Sequence, residues 1–124
     1  MRVPETVEAW WERVQTSAPP GLVGLWFGLV ELVPGGWSLY VAGTKLFDSL
    51  DESAEWAASP YAWWPADSYF AVPQMADLDV PSAVAAASDL VRSLSPWVAV
   101  PVAGVAVGFD DGDFAVVYDR ATSA

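Results

Sequence analysis

Four carboxylates, Asp48, Asp51, Glu52 and Glu55, stand at i, i+3, i+4 and i+7. On a helix they share one face, and such a face suits Arg or Lys of a partner. Four aromatic residues follow: Trp56, Tyr61, Trp63 and Trp64. Trp and Tyr dominate interface hot spots, and Arg stacks on their rings. These eight residues form the candidate partner-binding set. The plainer alternative is a solvated helix face, capped by the Ser49–Glu52 spacing and followed by an aromatic lid on the sheet. Trp63 and Trp64 are adjacent, so in an extended segment they point to opposite sides. One of them is expected at the surface or under another loop.

Other chemistries lack their residues. The chain has no His and no Cys, which removes thiol nucleophiles, imidazole acid–base catalysis, Ser-His-Asp triads and His or Cys metal sites. A carboxylate pair can hydrolyse glycosides. With 16 Asp and Glu in 124 residues, however, some pair at a suitable distance is unavoidable. The Asp110-Asp111-Gly112-Asp113 run lacks the spacing and length of a calcium loop. Between two β-rich runs it reads as a hairpin turn. Gly21–Gly28 has neither the Lys of a phosphate loop nor dinucleotide-binding spacing. The expectation is no enzyme, no catalytic residue, no metal and no cofactor.

The charge balance narrows the partner. Sixteen acids against five Lys and Arg give a net charge of −11. Nucleic-acid binding needs cations against phosphates, so no nucleic-acid partner is expected. A basic protein is favoured, because summed negative potential raises its encounter rate. The stretch from Leu46 to Val91 carries eight acids and no base. A start at Met1-Arg2-Val3-Pro4-Glu5 lacks a signal-peptide core, and the apolar runs Leu22–Val30 and Val98–Phe109 are short of a bilayer span. A cytoplasmic protein with no membrane partner is expected. The absence of Ile and Asn and the single Lys45 suit a high-GC bacterial genome.

The elements that must position the candidate site read as follows. Val7, Trp10, Trp11 and Val14 form one stripe of a helix over residues 4–17, with Pro4 and Glu5 in its first turn. Leu22–Val33, the Pro34-Gly35-Gly36 turn and Trp37–Gly43 form a β-hairpin. The aromatic, proline-broken middle segment is an ordered loop. It has a helical turn or two near Leu50–Ala58 and a short strand around Ser68–Val72. A second helix spans 81–94, with Asp79 as a cap and Val84, Ala87, Leu90, Val91 and Leu94 buried. Trp97–Phe109 reads as a strand with a bulge near Ala103-Gly104, and Phe114–Asp119 pairs back on it. The sum is a single α+β domain: an antiparallel sheet of about four to five strands built from two hairpins, with two helices packed on one face.

Three segments carry a resemblance. They are Leu25-Trp26-Phe27-Gly28-Leu29 with Tyr40-Val41-Ala42-Gly43, Phe47-Asp48 with Glu55-Trp56-Ala57, and Gly108-Phe109-Asp110-Asp111-Gly112-Asp113. In layout the chain resembles small acidic bacterial immunity proteins of polymorphic toxin systems. The resemblance implies a cytoplasmic inhibitor that blocks a toxin of the same cell or its kin. Two other readings stay open. One is a small-ligand or carbohydrate binder stacking its ligand on Trp. The other is a homodimeric subunit pairing through Leu22–Val33 or Val98–Val107 as an edge strand.

Overall fold

The structure is a computed structural model that describes residues 5–34, 36–57, 61–109 and 113–122. The first helix, α1, spans Val7–Gln15. Thr6 caps it, its hydroxyl oxygen accepting from the Ala9 amide at 3.1 Å. The helix therefore starts later than the proline pattern suggests. Glu5 lies outside it and pairs back on Arg13, while Pro4 is outside the described residues. Val7, Trp10, Trp11 and Val14 are all buried, as their spacing requires.

Strands β1 (Gly24–Val33) and β2 (Gly36–Thr44) form the first hairpin, from Gly24 opposite Thr44 to Glu31 opposite Trp37. Gly35 of its turn lies outside the described residues. Strand β3 (Tyr69–Ala71) adds to the far side of β2. The chain then enters α2 (Val80–Leu94), capped by Asp79 through the Ser82 amide at 2.9 Å. It ends with β4 (Gly104–Gly108) and β5 (Phe114–Asp119), which are antiparallel. The Asp110–Gly112 part of their turn is outside the described residues. A register shift falls at Val105/Ala106, inside the strand pair and two residues later than the Ala103-Gly104 expectation.

The sheet order is β3-β2-β1-β4-β5. The two expected hairpins are present, but they join through β1 and β4, which run parallel. This sheet is mixed, and the cause is α2. A parallel pair needs a crossover of a dozen or more residues, and α2 supplies it between the β3 edge and the opposite side of β1. The strand within Leu22–Val33 is β1 and the strand at the end of Val98–Val107 is β4, and both are interior in the sheet, not the edges expected for pairing in a homodimer.

The stretch after α2 differs from its alternating pattern. Ser95 takes a left-handed conformation (φ 48°) as the C-cap of α2, and Pro96 then opens a short helix, α3 (Pro96–Ala99). Val98 is exposed. The strand covers only the second half of the apolar run.

The sheet buries both faces by different means. One carries Leu25, Phe27 and Leu29 of β1, Leu39 and Val41 of β2, and Val105 and Val107 of β4. Both α1 and α2 pack there, as expected, with Trp11 against Phe27 at 5.6 Å and Trp10 against Phe70 at 5.5 Å between ring centres. Two indole N–H groups of this core find backbone acceptors: Trp10 donates to the Asp67 carbonyl at 2.8 Å and Trp37 to the Leu78 carbonyl at 3.0 Å. The other face carries Trp26, Tyr40 and Ala106, and no α-helix of the described residues packs with them; Phe47, Trp56 and Ala57 cover it from the loop after β2.

Candidate functional site

The loop that holds the four carboxylates is a chain of turns. Asp48 Oδ1 accepts from the Leu50 amide at 3.0 Å. Asp51 accepts from the Ser53 amide at 3.0 Å and from the Glu55 amide at 2.9 Å. Side chains that bond nearby amides compete with helix formation. Ala54 also turns left-handed, at φ 49°. Regular structure shrinks to a 3-10 turn at Glu55–Ala57. This is one of the one or two helical turns expected near Leu50–Ala58, whose last residue is outside the described residues; among the described residues no helix starts at Ser49 for the Ser49–Glu52 spacing to cap. Asp48 and Asp51 serve the loop's own backbone, whereas Glu52 and Glu55 are exposed.

The loop closes over glycines. A Cβ at Gly104 would overlap the Phe47 ring, and one at Gly28 would overlap the Tyr40 ring. These rings lie on the bare backbone of β4 and β1. Trp56 meets Phe47 edge-on at 4.8 Å and Trp26 at 6.2 Å. Trp26 Nε1 donates to the Tyr40 hydroxyl at 3.0 Å.

The four predicted aromatic residues separate. Trp56 is 7% exposed and Trp63 6%, so both are interior residues. Trp63 joins the helix-covered core, donates from Nε1 to Ser17 Oγ at 3.1 Å, and is tied to β2 by the Gly43 amide bonding its carbonyl at 2.9 Å. Trp64 faces the other way and is 45% exposed, the opposed pair that adjacent positions predict. Tyr61 is half-buried and stacks on Trp64 at 5.4 Å with ring planes 13° apart.

Tyr69 completes this group. It is 49% exposed, 5.8 Å from both Trp64 and Tyr40. Sequence reasoning missed it, although its place beside Phe70 in a short strand carried the signal of one ring in and one ring out. Leu46 and Leu50 are also exposed apolar residues, Leu50 by 87%. Both lie in the acidic loop, where their chemistry went unread.

Two cavities border this architecture. One of about 600 Å³ lies between α1, β3 and α2, with Glu5, Glu8, Phe70 and Leu90 in its wall. Another, of about 380 Å³, lies where the acidic loop meets the end of β5, with Phe47, Asp48, Asp119 and Arg120 in its wall. Arg13 pairs with Glu5 at 2.7 Å and with Asp67. The hydrogen bonds and charge of Arg13 hold the Glu5 carboxyl below its ordinary range. Among the described residues no three acidic side chains gather so as to hold a metal ion. No helix of the described residues is long and apolar enough to cross a membrane. Comparison with protein-family models, curated proteins and solved structures finds no match for the chain.

Proposed function

We propose that this chain is a non-enzymatic, acidic protein-binding domain, an immunity-like inhibitor that occludes a basic partner, such as a toxin, in the cytoplasm. The observation that carries this reading is the Tyr61–Trp64–Tyr69 group. Trp64 and Tyr69 are open to solvent and Tyr61 is half-buried beside them, while Trp26 and Tyr40 of the sheet are buried. Exposed aromatics on a rigid support are what interface anchors require. The net charge of −11 supplies steering toward a cation-rich surface. Glu52 and Glu55 are the carboxylates of the loop with no role in its turns, and they pair with Arg or Lys of the partner. Trp56 and Trp63 act from within, by holding the loop and Trp64 in place. Inhibition is occlusion: the domain covers a functional surface of its partner and makes no covalent bond.

A second reading rests on the same rings. Trp64, stacked on Tyr61 and open to solvent, can serve as a platform for the apolar face of a sugar or another small ligand. Affinity capture from a lysate of the source cell, at low and high salt, separates the two. Protein binding predicts a cationic protein that is held at low salt, released at high salt, and lost with Trp64→Ala or with Glu52→Gln and Glu55→Gln together. Recovery indifferent to both salt and substitutions sinks the reading. A glycan retained through Trp64, with no protein, decides for the second.

A further inference from the structure

Strand β3 is an edge of the sheet, and only its inner side is paired. The Val72 amide donates to the Trp37 carbonyl at 2.9 Å, and the Val41 amide to the Ser68 carbonyl at 3.2 Å. Antiparallel ladders alternate. The backbone groups of Ser68, Phe70 and Val72 therefore turn toward β2, and those of Tyr69 and Ala71 point off the sheet. Both residues are exposed.

The surroundings of this edge differ on its two sides. Toward the helices lies the cavity of about 600 Å³, with Val7, Phe70 and Leu90 as apolar wall and Glu5 and Glu8 as carboxylates. Arg13 already neutralises Glu5. Glu8 pairs with no cation among the described residues. Toward the other face stand the Tyr69 and Trp64 rings. A strand laid along β3 would send alternate side chains to these two sides. The opposite edge, β5, ends at Asp119 and Arg120, so a cation already stands there.

We propose that the free edge of β3 takes up an extended cationic segment of the partner as a sixth strand. Tyr69 and Ala71 supply the backbone hydrogen bonds, Glu8 meets a Lys or Arg reaching into the cavity, and Tyr69 and Trp64 cover an apolar side chain on the far face. The occupant is cationic because the cavity wall offers an unneutralised carboxylate. A second copy of this chain brings a further charge of −11 and is repelled. The proposal rests on the protein-binding reading and extends its contact from the Tyr61–Trp64–Tyr69 group to the sheet edge.

The probe is a synthetic peptide of alternating Lys and Val, compared with one of alternating Glu and Val and with a Lys-Val peptide N-methylated at every residue. Amide hydrogen exchange of the whole chain, followed by NMR, locates the contact. The Lys-Val peptide is expected to slow exchange at Tyr69 and Ala71, and the other two peptides are not. Glu8→Lys, at an exposed helix position, is expected to weaken binding by about tenfold or more, as charge reversal at a paired site does. Ala71→Pro removes an amide that points away from β2, so it is expected to abolish protection while the Val72–Trp37 bond persists. Equal binding of the acidic or N-methylated peptide overturns the proposal. So does a dimer in sedimentation whose formation protects β3 and excludes the peptide. If a captured cationic protein protects only the acidic loop and Trp64, the edge proposal falls and the protein-binding reading stands. If neither cationic peptide nor cationic protein binds, both fall.

Discussion

Phe27 and Gly28 are neighbours on the central strand, and they face two differently built halves of the molecule. Phe27 points under the helices into a core of Val, Leu and Trp. Gly28 points to the other face, where the Tyr40 ring occupies the space of its missing side chain. The helix-covered half follows from periodicity and caps. The other half depends on rings lying against bare backbone and on a loop held by Asp48 and Asp51. One face is filled by regular elements, the other by individually placed rings. The exposed rings and loop carboxylates of the proposed contact belong to the second.

Substitutions can test how different the two halves are. The largest effect is expected at Phe27→Ala, which empties a fully buried site in contact with Trp11. Loss of a core Phe costs about 3–5 kcal/mol, read as a shift in the urea midpoint. Gly28→Ala is expected to cost about 1–3 kcal/mol by overpacking. Combining it with Tyr40→Ala should recover part of that loss, because the clash is removed. Independent, additive costs would mean that the ring is not what Gly28 accommodates. Trp26 Nε1 donates to the Tyr40 hydroxyl, so Tyr40→Phe should cost about 1 kcal/mol and change the fluorescence of Trp26.

The smallest effects sit at helix ends. The Ser82 hydroxyl and amide hold the Asp79 carboxyl below its ordinary range. A lowered folded-state value means that this group stabilises the fold above the ordinary carboxylate range. That contribution is lost as pH falls through the folded value. Melting temperature measured from neutral to acid pH should therefore fall less steeply in Asp79→Ala than in the native chain. An unchanged slope would show that the cap contributes nothing to acid sensitivity.

The sequence exposed the first half more readily than the second. Val7, Trp10, Trp11 and Val14 announce a buried stripe, and all four are buried. In α2, Val84, Ala87 and Val91 are buried as their spacing requires, while Leu90 and Leu94 are half-buried at its margin. Local pairing was legible in both hairpins. The parallel β1–β4 pair was not, because it joins residues from Gly24 to Gly104 and no local pattern encodes a neighbour that far away. Val98, Val100 and Val102 alternate like a strand, yet the left-handed Ser95 and the following Pro96 set a helical turn first. Helical spacing among Asp48, Asp51, Glu52 and Glu55 likewise yielded to side chains bonding their own loop. At the candidate site, the opposition of Trp63 and Trp64 could be read from adjacency alone. The burial of Trp56 could not, since it depends on the glycines of strands distant in sequence.

The parallel pairing at the centre of the sheet also bears on how the chain is made. β1 and β2 leave the ribosome together, but β4 is synthesised only after the middle segment and α2. Until then one flank of β1, with Leu25, Phe27 and Leu29, has no neighbour and no helical cover from α2. Long-range pairing of this kind slows folding and leaves strand flanks open to wrong associations. Nascent chains stalled before Gly104 should therefore be held by chaperones, and synthesis and release of β4 and β5 should set them free.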